Sequence, residues 1–296
     1  GSNRLPAVEH SDELDRAFDY DALYRLTRAT GREAEVDLPT PWDPAPKNDA
    51  TATRKYTETY AFDDAGNLTQ LRHGWDDDPS TAWVRELVPE EKSNRLVALE
   101  VGKDAIAYTF DPAGNMRSES DSRRMSWDHA DRMKAFTTQA GATASLHAQY
   151  LYGADGMRVK KFVRMQGGEV RSTTYLGEAF EARREGEYYN DELKVGPVRR
   201  VLGEPFEGDP RRHDAWHAQW ELTDPLSSVT VCTDTSGNWT NLEEFTPFGE
   251  TSFGGFAAKR YRFNGRERDE ESGFSYFDSR CLAPWLGRWC SVDPEE

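Results

Sequence analysis

The first candidates for chemistry are two histidines, His213 and His217, which lie four residues apart. On a helix, this spacing would bring both imidazoles to one face, where they could hold a metal ion. The surrounding residues favour loops and strands, and on a strand residues i and i+4 lie about 13 Å apart. We therefore predict that both histidines are surface residues and form no metal site.

A run of three aspartates, Asp76, Asp77 and Asp78, offers the oxygen ligands that calcium prefers. The run lacks the glycine and the terminal glutamate of an EF-hand loop, so a solvated turn is the prediction. The sequence also contains no Gly-x-Ser-x-Gly motif, no Walker loop and no dinucleotide fingerprint. These patterns predict neither a cofactor nor a metal ion.

The cysteines are Cys232, Cys281 and Cys290. Their number is odd and no two of them form a Cys-x-x-Cys pair, which argues against both a disulfide framework and a structural zinc site. We predict partly buried free thiols.

The net charge of the chain disfavours two classes of partner. The 296 residues carry a net charge of −16, which disfavours a nucleic-acid backbone and an anionic membrane surface. No run of about 18 apolar residues occurs, so we expect no membrane insertion by this segment. The mean hydropathy is −0.84, yet 12% of the residues are aromatic. An ordered protein with a thin, aromatic-rich core fits both values, because disordered chains lack aromatic residues.

The elements that must position any site come from a degenerate repeat. The segment Tyr60–Leu68 (YAFDDAGNL) recurs 48 residues later as Tyr108–Met116 (YTFDPAGNM), with six of nine positions identical. Weaker copies begin at Phe18 and Tyr150. An internal repeat of this kind decides the fold class, because every copy must adopt the same local structure.

Each copy predicts a β-hairpin. Two aromatic residues separated by one residue lie on the same face of a strand. The following Asp111–Gly114 matches a type I turn whose last glycine can take a positive φ and start the returning strand. A single hairpin cannot bury its aromatic face, so the hairpins must stack. We therefore predict an all-β fold in which the hairpins form a large antiparallel sheet.

The spacing of the repeats is irregular, which argues against a β-propeller or a rigid solenoid. The turn aspartates are Asp21, Asp63, Asp111, Asp128 and Asp234. A proline-rich stretch, Leu38–Pro46, and a second stretch, Gly203–Pro210, predict loops. Hairpin signals resume on both sides of each stretch, so neither is expected to separate independent domains.

The repeat unit resembles the YD repeat of Rhs proteins. The segment Lys259–Phe274 (KRYRFNGRERDEESGF) is similar to the start of the Rhs repeat-associated core, which closes the repeat region. Further elements of that core match at Tyr276–Arg280, Ala283–Trp289 and Ser291–Pro294. The resemblance runs from about Phe18 to Pro294.

The residue sequences of several segments are typical of one branch of this family, the C components of bacterial Tc insecticidal complexes. These segments are Tyr20–Glu33, Phe245–Gly249 and Ala283–Trp289. Two positions depart from the Rhs pattern, because Pro225 and Ser227 stand where the family has His and Gly in its DHLGS element. In the core, Cys281-Leu282 also replaces the usual Tyr-Tyr pair.

The resemblance implies that the sheet curls into part of a hollow shell, or cocoon. It further implies that a variable toxin domain follows the core, is released by self-cleavage and stays enclosed. On this basis we divide the chain into a tag remnant and lead-in at 1–17, a YD-repeat region at 18–245 and the closing core at 246–296. The variable domain is absent from this sequence.

The resemblance also implies the only catalytic candidates. Self-cleavage in the family resembles aspartyl proteolysis at a second DPxGL motif, placed some way after a first. Asp293 occupies the first Asp-Pro position, with Arg288 just before it. Glu295 and Glu296 follow instead of the remaining motif, and no second motif occurs. We therefore interpret Asp293 as a structural turn residue, with a half-site as the alternative, and expect no enzyme activity from this chain alone.

Three hypotheses for function follow. The leading one is a non-enzymatic shell segment that encloses its own C-terminal toxin domain, with other shell subunits or a delivery apparatus as further partners, exported from a bacterium. The second is a self-cleaving protease core. The third is an adhesion module that binds glycans through exposed aromatic residues, although we interpret most tryptophans as repeat core. The tryptophans in question are Trp75, Trp83, Trp127, Trp216, Trp220, Trp239, Trp285 and Trp289.

Overall fold

The structure is a computed structural model that describes residues 15–35, 52–75, 78–120, 122–140, 143–186, 188–202, 218–255 and 259–293. Within these ranges the chain forms 24 strands and two single 3₁₀ turns, at Phe263–Gly265 and Pro284–Leu286. No helix in this part of the chain is long and apolar enough to cross a membrane. The predicted all-β class is confirmed.

Twenty strands belong to one antiparallel sheet and four to a second, small sheet. The strands are β1 (Phe18–Tyr20), β2 (Leu26–Ala34), β3 (Thr53–Phe62), β4 (Leu68–Trp75), β5 (Asp78–Pro89), β6 (Leu96–Val101), β7 (Asp104–Phe110), β8 (Met116–Glu119), β9 (Arg123–Trp127), β10 (Met133–Ala140), β11 (Thr143–Tyr152), β12 (Arg158–Met165), β13 (Val170–Leu176), β14 (Phe180–Glu185), β15 (Tyr188–Val195), β16 (Val198–Leu202), β17 (Ala218–Thr223), β18 (Val229–Thr233), β19 (Trp239–Phe245), β20 (Thr251–Gly254), β21 (Glu267–Arg268), β22 (Ser275–Phe277), β23 (Arg280–Ala283) and β24 (Arg288–Trp289).

The chain divides into two compact units. Unit 1 holds Gly1–Phe110, Glu243–Gly255 and Pro284–Gly287, and unit 2 holds Asp111–Leu242, Phe256–Ala283 and Arg288–Glu296. In unit 1, strands β1 to β7 form consecutive antiparallel pairs, from β1 with β2 to β6 with β7. In unit 2, strands β8 to β18 do the same, and β21 to β24 form the small sheet. Short hairpin connections therefore dominate the topology.

The aspartate of the repeat caps the hairpin turn. Asn67 donates its backbone N–H to Asp63 Oδ1 at 2.8 Å and its side-chain amide to Asp63 Oδ2 at 2.8 Å. Asn115 makes the same two bonds to Asp111 at 2.9 and 3.0 Å. The Asn67 side chain and the turn N–H groups lower the pKa of Asp63, because they favour the charged carboxylate. These bonds confirm the hairpins predicted from the repeat.

In seven of the hairpin turns, the fourth residue has a left-handed backbone, with φ between +57° and +106°. Glycine is the residue that adopts this conformation without strain. Three turns nevertheless use another residue there. The seven positions are Tyr24, Gly66, Gly114, Asp131, Gly156, Ser227 and Gly237.

The aromatic residues of the repeat form much of the core, as predicted. Tyr60, Tyr108 and Tyr150, the first aromatic residue of three copies, are buried. The first copy differs, because Phe18 and Tyr20 on the short strand β1 are both exposed. The repeat therefore does not by itself determine whether its aromatic residues are buried. Their burial depends on the position of the strand in the sheet.

Candidate functional site: the ionic core and the C-terminal end of unit 2

The small sheet β21–β24 packs in unit 2 through a set of buried charges, here called the ionic core. Its central carboxylate is Glu267, which lies 2.7 Å from Arg158 Nη2 and 3.0 Å from Lys161 Nζ. Arg260 also bonds to Glu267, and Tyr175 donates its hydroxyl to it at 2.8 Å. Four groups from three separate segments of the chain therefore converge on one carboxylate.

Two further carboxylates extend the ionic core. Asp269 lies 2.8 Å from both Arg158 Nη1 and Lys161 Nζ. Glu271 lies 3.4 Å from Lys161 Nζ and accepts the hydroxyl of Tyr150 at 2.9 Å. The side chains of Glu267, Asp269 and Glu271 therefore converge on one ammonium group, Lys161 Nζ.

A second arm of the ionic core lies on the neighbouring strands. Glu181 on β14 accepts hydrogen bonds from Arg260 and from the hydroxyl of Tyr261. Arg199 on β16 pairs with Glu192 at 2.7 Å and with Glu221 at 2.8 Å. The five charged side chains among these residues are all buried, and each forms at least one ion pair within unit 2.

Burial and neighbouring charges together set the pKa values of these groups. Burial alone would raise the pKa of Glu267, but Arg260, Lys161 and Arg158 hold it well below its usual value. Burial would lower the pKa of Lys161, but Asp269, Glu267 and Glu271 hold it well above its usual value. The pKa of Glu271 is raised, because burial outweighs its attraction to Lys161. A buried charge is tolerated only when paired in this way.

Aromatic rings complete the cage around Arg158. Its guanidinium lies 4.0 Å from the ring centre of Tyr276 and 5.3 Å from those of Tyr150 and Tyr175. The backbone N–H of Arg158 also donates to the hydroxyl of Tyr276 at 3.1 Å. The arrangement holds the charges of Arg158, Glu267 and Asp269 in fixed places.

The structure places the two predicted catalytic residues at the end of the small sheet. Asp293 Oδ2 lies 2.8 Å from Arg280 Nη1, whose guanidinium stacks 4.3 Å from the ring centre of Trp289. Arg288 pairs through its backbone with Ala283 of β23. The ion pair between Asp293 and Arg280 was not predicted, and the catalytic role of Asp293 and Arg288 stays a prediction.

The last described residues are anchored to a repeat turn. Val292 N donates to Asn115 Oδ1 at 3.4 Å, and Met116 N donates to Cys290 O at 2.8 Å. Asn115 is the same residue that closes the turn at Asp111. These hydrogen bonds hold the backbone that precedes Asp293 in place within unit 2.

A cavity of about 190 Å³ lies beside the ionic core in unit 2. Its walls include Lys161, Arg171, Arg183, Glu185 and Glu271, so both signs of charge face it. Arg171 already lies 2.8 Å from Glu185, and Lys161 is held by the ionic core. Among the described residues, no group of three His, Cys, Asp or Glu side chains could hold a metal ion.

The cysteines are buried free thiols. Burial raises the pKa of Cys232 to about 11 and that of Cys281 to about 12. Burial likewise raises the pKa of Cys290 well above its usual value. These thiols are therefore poor nucleophiles, and none is a catalytic candidate.

Four sequence predictions lie outside the described residues and have no structural outcome. They concern His213 and His217, the side chains of Asp76–Asp78, and the two loop stretches Leu38–Pro46 and Gly203–Pro210. The ionic core was missed by the sequence analysis. Its one signal was the cluster of acidic residues between Glu267 and Glu271.

Comparison with known proteins gives two groups of matches, although no protein-family model matches the chain. The toxin subunit YenC2 of Yersinia entomophaga is 28% identical over 309 residues, and YenC1 is 27% identical over 312 residues. Each match covers 95% of this chain and 31% of the relative. The chain therefore spans about a third of the length of these relatives.

The solved structures agree in fold. A crystal structure of TcdB2-TccC3-TEV matches with a TM-score of 0.82 and 25% identity, over 95% of this chain and 14% of that one. The Tc holotoxin pore of Photorhabdus luminescens with a mutated TccC3 matches with a TM-score of 0.80. The chain is thus related to the C components of Tc toxins, and its fold is that of their Rhs shell.

Proposed function

We propose that this chain is a non-enzymatic segment of an Rhs-type toxin shell, and that the complete shell encloses a toxic effector domain that follows it in the full polypeptide. The observation that carries the proposal is the similarity in fold to TcdB2-TccC3-TEV over 95% of the chain. The other partners would be further shell subunits or a delivery apparatus. The working location would be outside the bacterium that exports it.

The ionic core supports a shell role on physical grounds. A wall must hold its shape while a second domain is enclosed, and paired buried charges favour one arrangement of strands over others, because any shift leaves a charge unpaired. Arg158 and Lys161 reach residues more than 100 positions away in sequence, at Glu267 and Asp269. These long-range pairs tie the small sheet to the hairpins of unit 2.

The test uses the parent gene, expressed through its natural stop codon. The purified protein is compared on native and denaturing gels, with an intact mass for each band. We expect one native particle that separates into two chains on denaturation, with the cut downstream of Asp293. A single uncut chain, or a natural stop near Glu296, would overturn enclosure of a released effector.

A second candidate function is self-cleavage with Asp293 as one of two catalytic carboxylates. Two contacts that hold Asp293 in place favour this function. Arg280 forms an ion pair with Asp293, and Asn115 accepts a hydrogen bond from the preceding residue, Val292. In the extended protein, Asp293→Asn should abolish the cut, and Arg288→Ala should slow it. Asp278→Asn is the matched control, since Asp278 is also held by an arginine, Arg266, at 2.6 Å. Normal cleavage by Asp293→Asn would refute the assignment.

A further inference from the structure

Two tryptophans of unit 2 differ from the others that the structure describes. Trp220 and Trp239 are 44% and 41% exposed, and within the described part of the chain neither ring stacks on an aromatic or cationic side chain. The remaining described tryptophans are engaged by a hydrogen bond, a cation, a ring or full burial. They are Trp75, Trp83, Trp127, Trp285 and Trp289.

The two exposed indoles lie in one row across three strands. Trp220 on β17 pairs with Thr233 on β18, and Thr233 pairs with Trp239 on β19. Since neighbouring strands lie about 4.8 Å apart, the two tryptophan backbones are about 10 Å apart, with the threonine between them. On the opposite face of the same strands, Glu221 and Cys232 are buried.

The segment that carries this row, residues 218–242, has little charge. Residues 218–242 contain only three charged side chains, in a chain that is 30% charged. Glu221 is buried against Arg199. Asp224 and Asp234 each accept backbone N–H groups of their own turn, at 2.8 to 2.9 Å. A charged ligand would therefore find no free counter-charge within residues 218–242.

Hydrogen-bonding groups are nevertheless available along the row. Among the described residues, the indole N–H groups of Trp220 and Trp239 and the hydroxyl of Thr233 have no partner. The adjoining turn adds the exposed side chains of Thr235 and Ser236. The face thus combines two flat apolar rings with neutral donors and acceptors.

We propose that Trp220, Thr233 and Trp239 form a platform that binds neutral oligosaccharides. The C–H faces of pyranose rings stack on flat indoles, while sugar hydroxyls need neutral hydrogen-bonding partners. The spacing of about 10 Å between the two tryptophan backbones lets the indoles contact separate sugar units of one chain. The net charge of −16 opposes acidic glycans, so the ligand class is neutral.

The experiment titrates the 296-residue chain with a hexamer of β-1,4-linked N-acetylglucosamine and with cellohexaose, alongside a printed array of neutral glycans. Binding is followed by tryptophan fluorescence and calorimetry. We expect saturable binding to at least one probe, weakened about tenfold by each of Trp220→Ala and Trp239→Ala and lost in the double variant. Phe at both positions should retain part of the affinity, because a ring remains.

The matched control is Leu226→Ala, which removes a 71% exposed apolar side chain from a neighbouring turn without removing an indole. Its affinity should equal that of the unchanged chain. No binding to any neutral glycan, or unchanged binding by the double variant, would overturn the proposal. Association of the chain with itself or with another protein, lost in the double variant in the absence of glycan, would assign the row to a protein partner and also overturn it.

Discussion

His73 Nε2 lies 2.8 Å from Glu33 Oε2 in unit 1, and the other ring nitrogen lies 3.1 Å from Glu58 Oε1. The imidazole is buried between the rings of Tyr56 and Trp83, with ring centres 5.4 and 4.7 Å away. Burial opposes a charge on this ring, but the two carboxylates prevail and raise the pKa of His73 to about 9. A charged histidine therefore joins strands β2, β3 and β4.

This arrangement predicts a loss of stability at alkaline pH. The pKa of His73 is about 9 when folded and 6.5 in the reference state, so its contribution is complete below pH 6.5 and disappears as the pH rises through 9. The loss should be on the order of 3 kcal/mol. Urea unfolding at pH 6, 8 and 10 measures it.

The control for that series is His73→Gln, which keeps a polar side chain without a titrating ring. Its free energy of unfolding should vary less between pH 6 and 10 than that of the unchanged chain. Parallel pH profiles of the two proteins would show that His73 is not charged in the folded state.

The ionic core predicts that Glu267→Gln is severely destabilising. The change leaves Arg158, Lys161 and Arg260 buried with one counter-charge fewer, and breaking such a pair costs about 3 to 5 kcal/mol. Urea unfolding gives the value. Glu169→Gln is the control, because its pair with Arg171 is exposed and worth less than about 1 kcal/mol. Equal effects of the two changes would contradict a special role for the ionic core.

The left-handed turns predict opposite effects of two substitutions, one that introduces a glycine and one that removes a glycine. Ser227 has φ of +68°, so Ser227→Gly should relieve strain and stabilise the chain by about 1 kcal/mol. Gly237 has φ of +81° with open space around it, so Gly237→Ala should destabilise by a similar amount through strain alone. Thermal melting of both variants checks the pair, and a fall in melting temperature for Ser227→Gly would contradict the strain.

The cysteines predict slow alkylation of the folded chain. Cys281 and Cys290 are buried and their thiolates are disfavoured, as is that of Cys232. Iodoacetamide at pH 8 should therefore add almost no mass to the folded protein and three adducts in urea. Rapid labelling of the folded protein would show that at least one thiol is exposed.

Local sequence determined the hairpins. The turn at Asp63 follows from short-range chemistry, since an aspartate, a residue that tolerates positive φ and an asparagine meet within five positions. The alternation of side chains between the two faces of a strand then places Tyr60 in the core. The same reasoning could not predict Tyr24 at positive φ and 90% exposed, because its turn retains the shape of the repeat without the glycine.

The tertiary structure alone decided which charges are buried and what they pair with. A charged residue on a strand looks solvent-exposed in the sequence, and Glu267 becomes a core residue only because Arg158 and Lys161 arrive from more than 100 positions away. Asp293 shows the same limit, since its position in the chain was predicted but its partner Arg280 was not. Turn chemistry acts over a few bonds and can be read along the chain, whereas the pairing of buried charges depends on strand register and burial, which exist only in the folded sheet.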